Sequence, residues 1–202
     1  MPITVGYFAM TSWRRKNAFQ TIGGYSNSKR QRKVFQYLKD KNCWCSLPKL
    51  PESFALSTTT EFGDILYSLS DTEDPCSIYW LDLVSPDMRW KETKEVGIFN
   101  FKSWEKREAT VLWNQIVNFG FTSRQSTVVL EREKGSNTLE VKSKSDGFDC
   151  ANESQYSLFC TFNQKIYSFA YYADTYAVSL DVESGKTSQY YCFNWKSILV
   201  IN

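Results

Sequence analysis

The chain has 202 residues, a net charge of +2 and 42% hydrophobic residues, enough for one domain with a real core or for one part of a larger ring. It holds 7 Trp, 12 Tyr and 14 Phe, which favours β-structure, and no histidine, which excludes Ser–His and Cys–His nucleophiles and imidazole metal centres. No apolar run reaches about 18 residues and no basic-then-apolar leader opens the chain, so neither a membrane span nor a secretory signal is expected.

The first unit opens with "ITVGYFAM" at 3–10, a polar turn "SWRRKN" at 12–17 and "AFQTI" at 18–22, which together predict a β-hairpin. Gly23 and Gly24 end it, a basic loop follows, and "KVFQYL" at 33–38 predicts the next strand. Trp44 and a Leu-Pro-x-Leu-Pro tail close the unit at Pro51. The second unit has a strand ending at Phe62, a turn at Gly63-Asp64, a strand over 65–69, "SIYWLD" ending at Asp82, a turn at 85–87, and Trp90. In the third the corresponding points are Leu112, Trp113-Asn114, 115–119, Glu131 and a turn at 134–137. In the fourth they are Phe162, Asn163-Gln164, 165–169, Asp181 and a turn at 183–186.

Phe62, Leu112 and Phe162 are spaced by 50, and the acids at 82, 131 and 181 by 49 and 50. Self-similarity at this period, without a helical pattern, predicts an all-β propeller or partial propeller of about four four-stranded antiparallel blades. The expected blades are 1–51, 52–96, 97–147 and 148–197, within a single propeller region spanning the chain. The apolar stretch 198–202 is expected to open a further blade or to close the ring.

Ile22-Gly23-Gly24, then Val34-Phe35-Gln36-Tyr37, then Trp44 followed by Leu47-Pro48 and Leu50-Pro51, resembles the kelch-repeat family. The second unit keeps Leu66-Tyr67, the strand 78–82 and Trp90. Where the glycine doublet belongs, the later units have Ser70-Asp71, Gly120-Phe121 and Ala170-Tyr171. The resemblance implies a non-catalytic interaction scaffold within a larger assembly, such as a cytoskeletal or ubiquitin-ligase complex. Gly23, Gly24, Trp44 and Trp90 are its structural signature, and both tryptophans are expected to pack between adjacent sheets.

Charge is unevenly spread. Residues 1–50 carry ten basic residues against Asp40, a net of +9, and residues 51–202 carry 14 basic and 21 acidic, a net of −7. The candidate partner-binding residues are Arg14, Arg15 and Lys16 in the first turn and Lys29, Arg30, Arg32 and Lys33 in the loop after the glycines. Successive turns alternate between the two ends of a sheet, so the clusters should lie at opposite ends, with Lys39 and Lys41 on the Arg14 side. The partner this predicts is a protein with an acidic surface. Nucleic acid is not expected, because the aromatics alternate as strand residues do rather than forming a stacking platform. The expected compartment is the cytoplasm, with the 29–33 basic string also compatible with the nucleus.

No catalytic, cofactor-binding or metal-ligating residue is assigned. The six cysteines read as reduced thiols, and Cys43-x-Cys45 lacks a second ligand pair. Asp64, Asp71, Asp74 and Glu95 fall mainly in expected loops and are not paired by spacing, which leaves a histidine-independent hydrolase as a remote alternative. The other alternative is carbohydrate or ligand binding through Tyr171, Tyr172 and Tyr176 in the loop that lacks the doublet.

Overall fold

The structure, a computed structural model, describes residues 6, 8–55, 57–69, 76–96, 107–112, 115–120, 126–146, 157–162, 165–170, 176–181 and 187–191. Strands β1 (Ala9–Trp13) and β2 (Ala18–Ile22) form the first hairpin. A two-stranded ribbon of β3 (Tyr25–Ser26) and β4 (Lys29–Arg30) follows, then β5 (Val34–Leu38) and β6 (Cys43–Leu47). Sheet one is ordered β1-β2-β5-β6, an antiparallel meander interrupted only by the ribbon.

Sheet two contains β7 (Thr58–Phe62), β8 (Ile65–Leu69), β9 (Cys76–Asp82) and β10 (Lys91–Val96). Sheet three contains β11 (Arg107–Leu112), β12 (Gln115–Gly120), β13 (Ser126–Arg132) and β14 (Leu139–Asp146). Sheet four contains β15 (Ser157–Phe162), β16 (Lys165–Ala170), β17 (Tyr176–Asp181) and β18 (Thr187–Tyr191). In each the four strands follow one another in chain order and pair antiparallel. The expected strand ends at Phe62, Leu112 and Phe162 are the observed ones. Among the described residues no helix is long and apolar enough to cross a membrane.

Alternation of side chains gives each sheet two faces, and two separate cores fill the spaces between sheets. One joins Ala9, Trp13, Ala18, Ile22 and Val34 of sheet one to Leu66, Tyr79 and Leu81 of sheet two. The other joins Ile65, Tyr67, Leu69 and Ile78 of sheet two to Ile116, Val128, Leu130 and Leu139 beyond it. Sheet two therefore packs on both faces, and the first strands β1, β7 and β11 run side by side. Burial pushes the phenol pKa of both Tyr67 and Tyr79 up to about 12. The Tyr67 hydroxyl, though buried, donates to the carbonyl of Asn137 at 3.0 Å.

The glycine doublet has a local cause. Gly23 and Gly24 sit at φ 64° and 94°, and the Gly24 N–H donates to the Phe54 carbonyl at 2.8 Å. A Cβ on Gly23 would stand 2.6 Å from that same oxygen. The close approach lets the Leu-Pro tail run back against sheet one, where Leu50 and Phe54 are fully buried. Glycine satisfies both the positive φ and the missing volume.

Several expectations need correction. The first turn is shorter than 12–17: Ser12 and Trp13 continue β1, because the Trp13 indole is fixed by a contact 51 residues away. Glu95 lies within β10 and Tyr176 opens β17, so neither is a loop residue. Trp90 does sit between sheets one and two, donating its indole N–H to the Pro48 carbonyl at 2.8 Å. Trp44 belongs to neither core of the described residues and lies on the other face of sheet one, partly buried against Phe19 and Tyr37. Asp71, Asp74, Tyr171, Tyr172 and the 198–202 stretch lie outside the described residues.

Candidate interaction surface

Two turns at one end of sheet one are built alike. Arg14–Lys16 and Lys39–Lys41 each form a single 3-10 turn, entered from an extended residue with φ −99° and left through an asparagine in the left-handed region. Asn17 and Asn42 both sit at φ 47°, and their N–H groups return to the carbonyls of Arg14 and Lys39 at 3.3 and 3.2 Å. Asparagine tolerates this conformation better than other side chains with a Cβ. The shared four-residue pattern, three charged residues and then Asn, is the sequence signal for these turns.

The turns are also tied to each other. The Lys39 N–H donates to the Asn17 carbonyl at 3.3 Å, and the Asn17 side-chain amide donates to Asp40 at 2.8 Å. The Tyr37 hydroxyl donates to the Asn42 side chain at 2.5 Å. Ala18 pairs with Leu38 directly below, so both turns leave the sheet at the same level. Arg14, Lys16, Lys39 and Lys41 are exposed around this frame.

Arg15 is engaged differently. Its guanidinium donates to Asp64 of the β7–β8 turn at 2.6 Å, and the Trp13 indole donates to the other oxygen of that carboxylate at 2.8 Å. Glu61 accepts from the Asp64 N–H at 2.9 Å and so fixes the turn from below. The indole bond, aided by Arg15 and Lys16, holds the Asp64 carboxyl below its ordinary value of 3.8. The Arg15 side chain remains 71% exposed and that of Asp64 only 17%, so water screens the ion pair more than the indole bond. Asp64 thus clamps sheet one to sheet two, a role that its place in a turn did not reveal.

The second basic cluster lies at the opposite end of sheet one, where Ile22 pairs with Val34. Lys29 and Arg30 form the edge of the small ribbon, turned through Asn27 and Ser28 at φ 51° and 59°. Arg32 is structural: its side chain donates to the Leu50 carbonyl at 2.6 Å while its own carbonyl accepts from the Leu50 N–H at 2.9 Å. Lys29, Arg30 and Lys33 are exposed. The seven proposed binding residues therefore form two groups on opposite ends, with one arginine in each group used by the fold.

Other candidate chemistry is sparse. A hollow of about 430 Å³ opens on the β13–β14 turn, lined by Arg132, Glu133, Lys134, Gly135, Ser136 and Asn137. Arg132 donates to Asn137 there and lies 5.5 Å over the Phe62 ring, so it braces the turn. Among the described residues no group of three His, Cys, Asp or Glu could hold a metal ion, and Cys43 and Cys45 are free thiols. Burial and the neighbouring Cys45 push the Cys43 thiol up, away from the thiolate that a nucleophile needs. No protein-family model matches the chain, and no curated protein matches it in sequence.

Proposed function

We propose that the chain is a partial β-propeller acting as a non-catalytic protein-interaction scaffold, and that it docks an acidic protein surface through Arg14, Lys16, Lys39 and Lys41. The observation that carries this reading is the pair of matched, mutually bonded turns that hold those four exposed cations on one end of sheet one. Cations on short, cross-braced turns lose little backbone freedom on binding, so less of the attraction is offset by ordering. Supporting it are the four consecutive antiparallel meanders and the kelch-like first unit, which imply a rigid frame with binding loops at its ends. The absence of histidine from the sequence removes the commonest acid–base and nucleophile arrangements.

The reading predicts salt-sensitive binding of a labelled Asp/Glu-rich peptide, followed by fluorescence anisotropy. Reversing all four cations (R14E, K16E, K39E, K41E) should weaken binding by about a hundredfold, a loss of roughly 2.7 kcal/mol. Reversing Lys29 and Lys33 at the other end should leave it within about threefold of the wild type. Equal affinity for the wild type and the fourfold variant would remove the turn end as the docking site.

A further inference from the structure

Strand β6 ends the order of sheet one and carries two of the six cysteines, Cys43 and Cys45. Both are free thiols; Cys43 is half-buried and Cys45 exposed. They stand two apart in an extended strand, so both side chains leave the same face, while Trp44 between them packs on Tyr37 at the other. Register fixes which face it is. Cys43 pairs with Leu38, Cys45 with Gln36 and Leu47 with Val34, the face that packs toward sheet two. Leu38 and Leu47 touch that core, and at Cys45 the row emerges into solvent. The Cys45 thiol is near enough to hydrogen-bond Cys43, and Lys41 of the adjoining turn favours the anionic form of Cys43.

This spacing suits one kind of ligand. Residues two apart in a strand hold their Cβ atoms roughly 6.6 Å from each other. A disulfide needs Cβ atoms about 3.5–4.5 Å apart, so closing one would bend β6 out of its ladder with β5. Two metal–thiolate bonds of about 2.3 Å set in line span roughly 4.6 Å, which these sulfurs reach by choice of rotamer. Zinc takes four ligands, and among the described residues no third His, Cys, Asp or Glu joins the pair. A soft monovalent ion takes two thiolates in line.

The geometry points to Cys43 and Cys45 as a two-coordinate site for a soft monovalent metal ion of the copper(I) class. Binding releases both thiol protons and leaves the unit with a single negative charge, which Lys41 offsets. The raised Cys43 thiol is no obstacle, because a coordinated thiol is deprotonated by the ion itself. Strand β5 holds β6 along its whole length, so once one sulfur binds, the second meets the ion at high effective concentration. The lack of a second cysteine pair, which argues against zinc, does not bear on this ion. The inference is independent of the acidic-partner reading.

Anaerobic titration of the full, reduced chain with copper(I), buffered by the coloured chelator bathocuproine disulfonate, tests it. The wild type should take up one equivalent more than the double variant Cys43→Ser with Cys45→Ser. Each single variant should hold that equivalent at least about a hundredfold more weakly. Thermal melting shows that the variants fold, as expected for positions outside both cores. The double variant should bind acidic peptide as the wild type does, so the two proposals fail separately. Three outcomes overturn this one. Equal uptake by wild type and double variant means that the other four cysteines hold the ion. A single variant with full affinity means that the two sulfurs do not act together. Zinc bound as tightly as copper(I), and lost in the double variant, means that further ligands join the pair.

Discussion

Leu66 and Phe19 occupy the same place in successive repeats, the second residue of the second strand, and meet different surroundings. Leu66 and its partner Leu81 are fully buried between two sheets, whereas Phe19 and its partner Tyr37 are partly buried on the other face of sheet one, outside both cores of the described residues. The side chains differ accordingly. The enclosed row is aliphatic and fills a slot about 10 Å deep, while the Phe19 row is aromatic and its rings cover one another. Local pattern sets the strand, but the neighbouring sheet decides what the strand is for.

That contrast is broken most directly by truncating both positions. Leu66→Ala removes a fully buried side chain from a core shared by two sheets and should cost about 3–4 kcal/mol. Phe19→Ala removes a ring that is only partly buried and should cost about 1–2 kcal/mol. Urea melts of both variants read the difference. Equal losses would mean that the two rows are equally enclosed.

Gly23→Ala sharpens the comparison from the backbone side, since only the first unit has the glycine doublet. The added Cβ meets the Phe54 carbonyl oxygen, and the residue keeps φ 64°. Overpacking and left-handed strain together should cost about 3 kcal/mol by the same melts. The loss should be accompanied by faster amide exchange at Gly24, whose N–H is held by Phe54. A neutral Gly23→Ala would place the Phe54 tail elsewhere.

The strands were legible because alternation is a local property. Spacing by 50 located Phe62, Leu112 and Phe162 as strand ends, and the acid after each third-strand leucine located Asp82 and Asp181. The basic clusters at opposite ends followed from the same meander logic. What stayed hidden depends on partners distant in sequence. Asp64 looked like a turn acid, and nothing near it announces Trp13. Trp44 and Trp90 match by repeat position, yet Trp90 packs against the core between sheets one and two while Trp44 packs on Phe19 and Tyr37 at the other face of sheet one, a difference set by residues distant in sequence. The β3–β4 ribbon was missed because its strands are two residues long, below the reach of any period.

The clamp between the two compared sheets gives the smallest of these effects and the one with a pH signature. Asp64→Asn keeps the shape of the side chain and an oxygen for the Trp13 indole, but removes the charge that strengthens this bond and pairs with Arg15. It should cost about 1 kcal/mol at neutral pH. In the wild type the folded carboxyl titrates below the ordinary 3.8, so the unfolded chain binds its proton first as pH falls. The contribution of the charge is therefore complete above that value and lost as pH drops through the depressed folded pKa. The stability gap between wild type and Asp64→Asn, measured by urea melts from pH 7 downward, should stay constant through the neutral range and narrow below about 3.8. Asparagine has no such titration, so the variant should lose less stability over the acid interval. A gap that persists unchanged to the acid limit would show that the amide disturbs the turn itself, and that the charge on Asp64 does not hold sheet one to sheet two.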